Sequence, residues 1–81
     1  MYRVLLADDE QIERMALARR LMRRFGDILQ ISEATNGKEA VQLYEKEPSQ
    51  IIIMDISMPE LNGVEAAEKI RSMDEDCIIV F

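Results

Sequence analysis

Short apolar runs alternate with longer amphipathic segments along the whole chain, and this pattern predicts four strands separated by three helices. The strands are expected at Tyr2–Ala7, Asp27–Ala34, Ile51–Met54 and Cys77–Phe81. The helices are expected at Glu10–Phe25, between Asn36 and Pro48, and at Gly63–Met73. Strand–helix alternation of this kind is typical of an α/β fold in which parallel strands are joined by right-handed crossovers.

Capping residues and apolar spacing orient the second and third helices. Asn36, with Glu39 reaching back to it, is expected to cap the second helix, and Asn62 is expected to cap the third. The inward faces are predicted to be Ala40, Leu43 and Tyr44 in the second helix and Val64, Ala67 and Ile70 in the third.

The first helix differs because its apolar residues spread over far more than the arc of somewhat over 100° that a helix lying on a sheet needs. We therefore expect this helix to require cover from a further element as well as from the sheet. Its narrow polar face is predicted at Glu13, Arg20, Arg23 and Arg24, and its clustered arginines are interpreted as a solvated surface. Gly26 is expected to close the helix.

The strand Ile51–Met54 is expected to be buried on both faces, because a run of four apolar residues, three of them β-branched, is typical of a central parallel strand. Asp55 follows it directly. An unpaired buried charge costs several kcal/mol, so we expect the strand to end there. Asp55 would then turn into the crevice at the carboxyl edge of the sheet, where open α/β sheets bind ligands.

A second acidic stretch, Asp8-Asp9-Glu10, follows the first strand. These acids could merely stabilise the start of a helix, by about 0.3–1 kcal/mol each, and Asp55 could be an ordinary turn residue. Two adjacent aspartates after one buried strand and a third after its neighbour exceed what capping requires. Because the first and third strands are neighbours in such a sheet, Asp8, Asp9 and Asp55 are expected to converge.

Three converging carboxylates have a definite chemical consequence. At an effective dielectric constant of ~20, two of them repel by about 4 kcal/mol at a distance of about 4 Å. Either one of them takes up a proton, or a cation sits among them. Carboxylate oxygens with open water positions suit Mg²⁺, and the backbone carbonyl of Ser57 is expected to complete the protein's ligands. A carboxylate beside Mg²⁺ can also attack phosphorus and form an acyl phosphate.

Composition narrows the classes of function. A net charge of −6 without a basic face argues against direct nucleic-acid binding. The single cysteine, Cys77, lies in an apolar run, so we expect a small buried hydrophobe and neither a disulfide framework nor a zinc site. No secretory leader and no apolar segment of membrane-spanning length occurs, so a single domain in the cytoplasm, with no membrane contact, is expected.

The stretches Leu5–Glu10 and Ile53–Pro59, with Asn62-Gly63 after them, resemble the receiver domain of two-component response regulators. The resemblance covers the whole chain. It implies a flavodoxin-like (CheY-like) doubly wound parallel sheet of strand order 2-1-3-4. It also implies that Asp55 is the phosphoacceptor, that Asp9 binds Mg²⁺ directly and Asp8 mainly through water, and that Ser57 contributes its backbone carbonyl.

The same resemblance implies the partners. The phosphoryl donor would be a sensor histidine kinase. The domain would be a phosphoacceptor rather than an enzyme, with autophosphatase activity at most in the intact domain. Contact with DNA and transcription control would belong to an output domain outside this chain.

The chain departs from the family after its fourth strand. The family there has a Ser or Thr that contacts the phosphoryl group, then a lysine at the end of a fifth strand, and a final helix. None of Lys38, Lys46 and Lys69 lies at the carboxyl end of a strand. We interpret residues 1–81 as a partial receiver domain without the fourth helix, fifth strand and fifth helix. Its fourth strand would be an apolar edge and its first helix would lack a partner, so a homo-oligomer is expected.

Three alternative functions use a similar arrangement of residues. A P-loop nucleotidase is excluded because no Gly-x-x-x-x-Gly-Lys-Ser/Thr occurs. A phosphatase resembling the haloacid dehalogenases would need a second aspartate two residues after Asp55, where this chain has Ser57. An inert structural or dimerising fragment, with a pocket that does not switch, remains open.

Overall fold

Four parallel strands form one sheet with helices on both sides. The computed structural model describes residues 1–81, with β1 at Tyr2–Ala7, α1 at Gln11–Phe25, β2 at Leu29–Ala34, α2 at Gly37–Lys46, β3 at Ile51–Met54, α3 at Gly63–Met73 and β4 at Ile78–Val80. The strand order is β2-β1-β3-β4, and every neighbouring pair is parallel. The predicted fold class and strand order are therefore confirmed. β2 and β4 are shorter than expected, because Asp27, Ile28, Cys77 and Phe81 lie outside the ladders.

The register brings the carboxyl ends of β2, β1 and β3 to the same level. Ala7 of β1 is paired with Ala34 of β2 and with Met54 of β3. One residue further, the Asp8 N–H donates to the Ala34 carbonyl at 3.1 Å and the Asp55 N–H donates to the Ala7 carbonyl at 2.9 Å. Asp8 and Asp55 thus leave adjacent strands at the same height.

One face of the sheet carries the main core. Alternate side chains of β1 and β3 point to this face, which α2 and α3 cover. Its largest fully buried members include Leu5, Ile52, Met54 and Ile70. Cys77 is a buried free cysteine that packs in the same core, as expected.

The opposite face of the sheet is covered only in part, by α1. Ile51 and Ile53 are half-buried there, so β3 is buried on one face and not on both, contrary to expectation. Between the end of α1 and the sheet lies an open apolar hollow of about 300 Å³, which we call the α1 hollow; Phe25, Ile28 and Tyr2 are among its lining residues. The expectation that α1 needs further cover therefore agrees with the structure.

The wide apolar arc of α1 is largely exposed. Ile12, Met15, Met22 and Phe25 are between 43% and 85% exposed. The helix begins at Gln11, with Glu10 as an N-cap residue whose side chain makes no capping hydrogen bond. Gly26 is the C-cap residue, but its φ of −60° is right-handed, so the helix does not end in the left-handed turn that a closing glycine favours.

The starts of α2 and α3 are capped by asparagine, as predicted. The Asn36 side chain accepts a hydrogen bond from the Glu39 N–H at 2.7 Å, while Glu39 reaches back to the Thr35 N–H instead of that of Asn36. At α3, Asn62 and Glu65 form a complete reciprocal capping box.

The inward face of α3 is rotated from the predicted one. Ile70 is buried and Ala67 is half-buried, but Val64 is 45% exposed and Ala66 is fully buried in its place. The reason is the position of Gly63, which is buried against the backbone of Asp55; Ala66 lies three residues later on that same side of the helix. In α2, Ala40 and Tyr44 are buried as predicted, and Leu43 packs partly against the core.

The start of α2 also touches the loop between β3 and α3. A Cβ atom placed on Gly37 would lie 1.8 Å from the Leu61 carbonyl oxygen, so only glycine allows this approach. None of the three helices combines the length and apolar content needed to cross a bilayer.

Candidate functional site

Three aspartates meet at the carboxyl edge of the sheet. Asp8 and Asp9 lie in the loop between β1 and α1, and Asp55 directly follows β3. One carboxylate oxygen from each lies within 4.8 Å of the others, with Asp8 and Asp55 half-buried and Asp9 exposed. The predicted convergence is confirmed, and its cause is the level register of the two central strands.

The backbone and side chain of Asp8 are held on several sides. Its N–H donates to the Ala34 carbonyl, and its carboxylate Oδ1 accepts from the Glu10 N–H at 2.8 Å. Its carbonyl oxygen accepts from Nη1 of Arg14 at 2.8 Å. The turn that presents Asp9 is therefore attached both to β2 and to α1.

Asp55 is positioned by the main chain around it. Its N–H is bound by the Ala7 carbonyl, and its carboxylate Oδ1 lies 3.4 Å from the Ser57 N–H, a long contact. The Gly63 N–H donates to the Ile56 carbonyl at 2.8 Å, which draws the start of α3 against this loop. The Ser57 N–H thus lies near the Asp55 carboxylate, whereas the role of the Ser57 carbonyl as a metal ligand stays a prediction.

A hollow of about 220 Å³ adjoins the aspartates between β1, β3 and α1. Asp8, Asp55 and Arg14 form polar parts of its wall, and Leu17 and Ile53 form apolar parts. The acidic side chains therefore border a partly enclosed space, while Asp9 remains open to solvent.

Arg14 is the residue of this region that the sequence pattern did not identify. Its side chain is only 9% exposed, and Nε lies 2.9 Å from Oε1 of Glu33 on β2. The prediction that the arginines of α1 are solvated is therefore wrong for Arg14. Three, four and seven residues later come Leu17, Ala18 and Leu21, which are all half-buried. That helical spacing was the signal that Arg14 faces the sheet.

Tyr44 and Asp74 form a hydrogen-bonded pair near the other edge of the sheet. The Tyr44 hydroxyl donates to the Asp74 carboxylate just before β4. Burial, followed by this hydrogen bond, raises the pKa of Tyr44 well above its usual range, and the same bond lowers the pKa of Asp74. This pair joins α2 to the end of α3 and is separate from the aspartate cluster.

The cluster has a suitable composition for Mg²⁺. All three side chains offer hard, anionic oxygen atoms, and no nitrogen or sulfur ligand stands among them. Neighbouring ligands around octahedral Mg²⁺ are about 3 Å apart and opposite ones about 4 Å, given metal–oxygen distances of about 2.1 Å. The oxygen atoms of the three aspartates, within 4.8 Å of one another, are thus separated by distances of similar size.

The family model for the response regulator receiver domain matches residues 4–81. The chain belongs to this family. Among its relatives, the receiver is 38% identical over 78 residues to the chemotaxis protein CheY of Thermotoga maritima, covering 96% of this chain and 63% of CheY. It is also 38% identical over 80 residues to the sensory transduction protein LytT of Oceanobacillus iheyensis, covering 96% of this chain and 32% of LytT. The chain thus spans 32% of the length of LytT and 63% of that of CheY.

Solved structures give the same family. The response regulator TrrA of Thermotoga maritima, solved in complex with Mg(2+)-BeF, superposes on this receiver with a TM-score of 0.88 and 34% identity, covering 98% of this chain and 66% of TrrA. TrrA has also been solved in complex with the histidine kinase ThkA, with a TM-score of 0.86 to this receiver at the same identity and coverage.

Proposed function

We propose that this receiver takes a phosphoryl group from the phosphohistidine of a sensor histidine kinase onto a carboxylate oxygen of Asp55. The observation that carries the proposal is the meeting of Asp55 with Asp8 and Asp9 at the carboxyl edge of the sheet. The complex of the related TrrA with a histidine kinase supports the choice of donor.

The reaction is an in-line displacement at phosphorus. A lone pair of the Asp55 carboxylate forms the new O–P bond, the N–P bond of the phosphohistidine breaks, and its electron pair returns to the imidazole of the donor. The product is an acyl phosphate. The hydrogen bond from the Asp55 N–H to the Ala7 carbonyl fixes the backbone of Asp55, and its side chain borders the hollow where a phosphoryl group could enter.

The remaining acids are proposed to hold Mg²⁺. Asp9 would bind it directly, Asp8 mainly through water, and Asp55 and the Ser57 carbonyl would complete the protein ligands. When bound, Mg²⁺ neutralises negative charge on the phosphoryl oxygens. The Mg(2+)-BeF complex of TrrA supports this assignment, since TrrA is 34% identical to this chain.

Phosphorylation of Asp55 is testable by intact-mass measurement after incubation with acetyl phosphate. With Mg²⁺, the chain is expected to show at most a weak gain of one phosphoryl group, because none of Lys38, Lys46 and Lys69 lies at the carboxyl end of a strand. Chelation by EDTA is expected to abolish any gain. Asp55→Asn removes the nucleophile and should also abolish it. Asp27→Asn is the matched control, because Asp27 is an exposed aspartate in the loop between α1 and β2.

The intact-mass measurement also distinguishes a phosphoacceptor from an inert structural fragment. No gain in the unaltered chain would favour the inert structural fragment, and an undiminished gain in Asp55→Asn would place the phosphoryl group elsewhere. A phosphoacceptor needs no enzymatic turnover, and we propose none beyond loss of its own phosphoryl group.

We further propose that residues 1–81 are a partial receiver domain that acts within a longer polypeptide, which the relatives' greater lengths support. Transcription control, and any DNA contact through an output domain, stay predictions; the similar PdtaR of Mycobacterium tuberculosis is named a transcriptional regulatory protein. Location in the cytoplasm also stays a prediction. The 81-residue chain itself is proposed to form homo-oligomers through its exposed apolar surfaces.

A further inference from the structure

Arg14 connects three separate parts of the site. It stands on the first turn of α1, its Nη1 donates to the carbonyl oxygen of Asp8, and its Nε pairs with Glu33 at the end of β2. The Arg14 N–H in turn donates to the Glu10 carbonyl at 2.9 Å, while the Glu10 N–H donates to the Asp8 carboxylate. The loop from Asp8 to Glu10 is therefore closed by main-chain and side-chain bonds to one buried arginine.

The bond to the Asp8 carbonyl has a geometric effect on Asp9. The carbonyl of Asp8 and the N–H of Asp9 belong to one peptide unit, and that unit is planar. Fixing the carbonyl oxygen therefore fixes the plane from which the Cα and side chain of Asp9 depart. The Asp8 N–H is already bound to Ala34, so Arg14 restrains the remaining rotation between the two aspartates.

Glu33 determines which acidic group the Arg14 guanidinium pairs with. Arg14 lines the same hollow as Asp8 and Asp55, so its charge lies close to carboxylates that are needed free. Its ion pair with Glu33 occupies Nε at 2.9 Å, and Nη1 is turned to a backbone carbonyl instead of a carboxylate of the cluster. The positive charge is thereby neutralised by a carboxylate outside the cluster.

We propose that Arg14 is a positioning residue for the acidic site: it fixes the peptide between Asp8 and Asp9, and Glu33 keeps its guanidinium from pairing with the acids. This inference rests on the proposed function, since it assigns the cation site to these aspartates. Outer-shell groups of this kind change metal affinity by about 10–100-fold when they are removed.

The test uses Mn²⁺ as the probe, because it shares the carboxylate and water ligands of Mg²⁺ and its free concentration can be read by electron paramagnetic resonance. Arg14→Met is expected to weaken Mn²⁺ binding about tenfold. Arg23→Met is the matched control: Arg23 is exposed on the same helix and its substitution makes the same change in net charge. The control should bind Mn²⁺ within twofold of the unaltered chain, a margin set well below the ~10-fold effect.

A second measurement needs no metal. The ¹⁵N order parameter of the Asp9 amide is expected to be near the rigid value of about 0.85 in the unaltered chain and to fall toward about 0.6 in Arg14→Met. Arg14→Lys keeps the charge but lacks the planar fork of donors that guanidinium presents, so an intermediate value is expected. Glu33→Gln should weaken Mn²⁺ binding as well, because the guanidinium is then free to pair with the aspartates.

The outcomes separate the two proposals. If the unaltered chain binds no Mn²⁺, the proposed cation site fails, while the order parameter of Asp9 still decides the role of Arg14. If the chain binds Mn²⁺ and Arg14→Met leaves both affinity and order parameter unchanged, the role of Arg14 is overturned. If Arg14→Met does not fold, as judged by circular dichroism, Arg14→Lys and Glu33→Gln are measured against the same two criteria.

Discussion

At the scale of single residues, Gly63 is the position where the site leaves least room. A Cβ atom there would lie 2.2 Å from the Asp55 carbonyl oxygen and 2.9 Å from the Ile56 Cα. Both neighbours are backbone atoms, which cannot move aside as the end of a flexible side chain can. The residue that follows the cap of α3 is therefore restricted by the strand that carries the proposed nucleophile.

Gly63→Ala reverses the usual effect of this substitution. Alanine in place of a helical glycine ordinarily stabilises by about 0.5–1 kcal/mol. Here we expect a loss of about 1–3 kcal/mol in the free energy of unfolding, because the Asp55 carbonyl must shift. Urea denaturation measures whether the free energy of unfolding falls or rises in Gly63→Ala. Val64→Ala, at the adjacent exposed position, should change stability by less than about 0.5 kcal/mol; a stabilised Gly63→Ala chain would contradict the close approach.

Arg14 marks the limit of what could be predicted for single residues. Asp8, Asp9 and Asp55 could be brought together from sequence because strand ends and the parallel register decide where they go. For Arg14, the helical spacing indicates the face of α1 but not the burial of the charged end, since a long side chain with an apolar stem can also turn that end to water. Its burial depends on Glu33, a contact across 19 residues that no local pattern contains.

At the scale of elements, the helix caps were predictable and the buried faces less so. Asn36 and Asn62 act within one turn of chain, so the sequence carries all the information that they need. The face of α3 depends instead on how closely Gly63 approaches the sheet, which placed Ala66 in the core and Val64 outside it. The burial of β3 likewise depends on packing between elements: Ile51 and Ile53 stay half-buried because α1 covers their face of the sheet only in part.

The capping box of α3 gives a prediction at this scale. Asn62→Ala removes the acceptor for the Glu65 N–H, now 2.9 Å away, and is expected to lower the free energy of unfolding by about 1 kcal/mol. Asn62→Asp keeps an acceptor and should remain within a few tenths of a kcal/mol of the unaltered chain. Chemical denaturation of the three chains is the measurement. Equal losses in both variants would mean that the side-chain oxygen does not act as the cap.

At the scale of the whole molecule, the distribution of apolar surface is uneven. One face of the sheet is closed by α2 and α3, whereas the α1 hollow and the edge strand β4 leave large side chains in water. Ile78, Val80 and Phe81 are each about half exposed or more. Burying even ~300 Å² of such surface is worth roughly 7 kcal/mol, which is comparable to the total stability of a small domain.

Self-association of the 81-residue chain follows from this surface. Light scattering is expected to give a mass that rises above that of one chain with increasing concentration. Val80→Lys places a charge on the exposed edge and should shift the chain toward the monomer. Val64→Lys is the control, because Val64 is 45% exposed near the start of α3 and belongs neither to β4 nor to α1. A monomer at every concentration would exclude the proposed homo-oligomer.

The close approach of Gly37 to the Leu61 carbonyl has a mechanical consequence. Because no side chain lies between the two backbones, no change of rotamer can accommodate a displacement of Leu61 toward α2. Any rearrangement of the segment after Asp55 that pushes Leu61 toward α2 must either carry the first turn of that helix with it or be blocked. The amino end of α2 thus acts as a rigid stop for movement that starts at the acidic pocket.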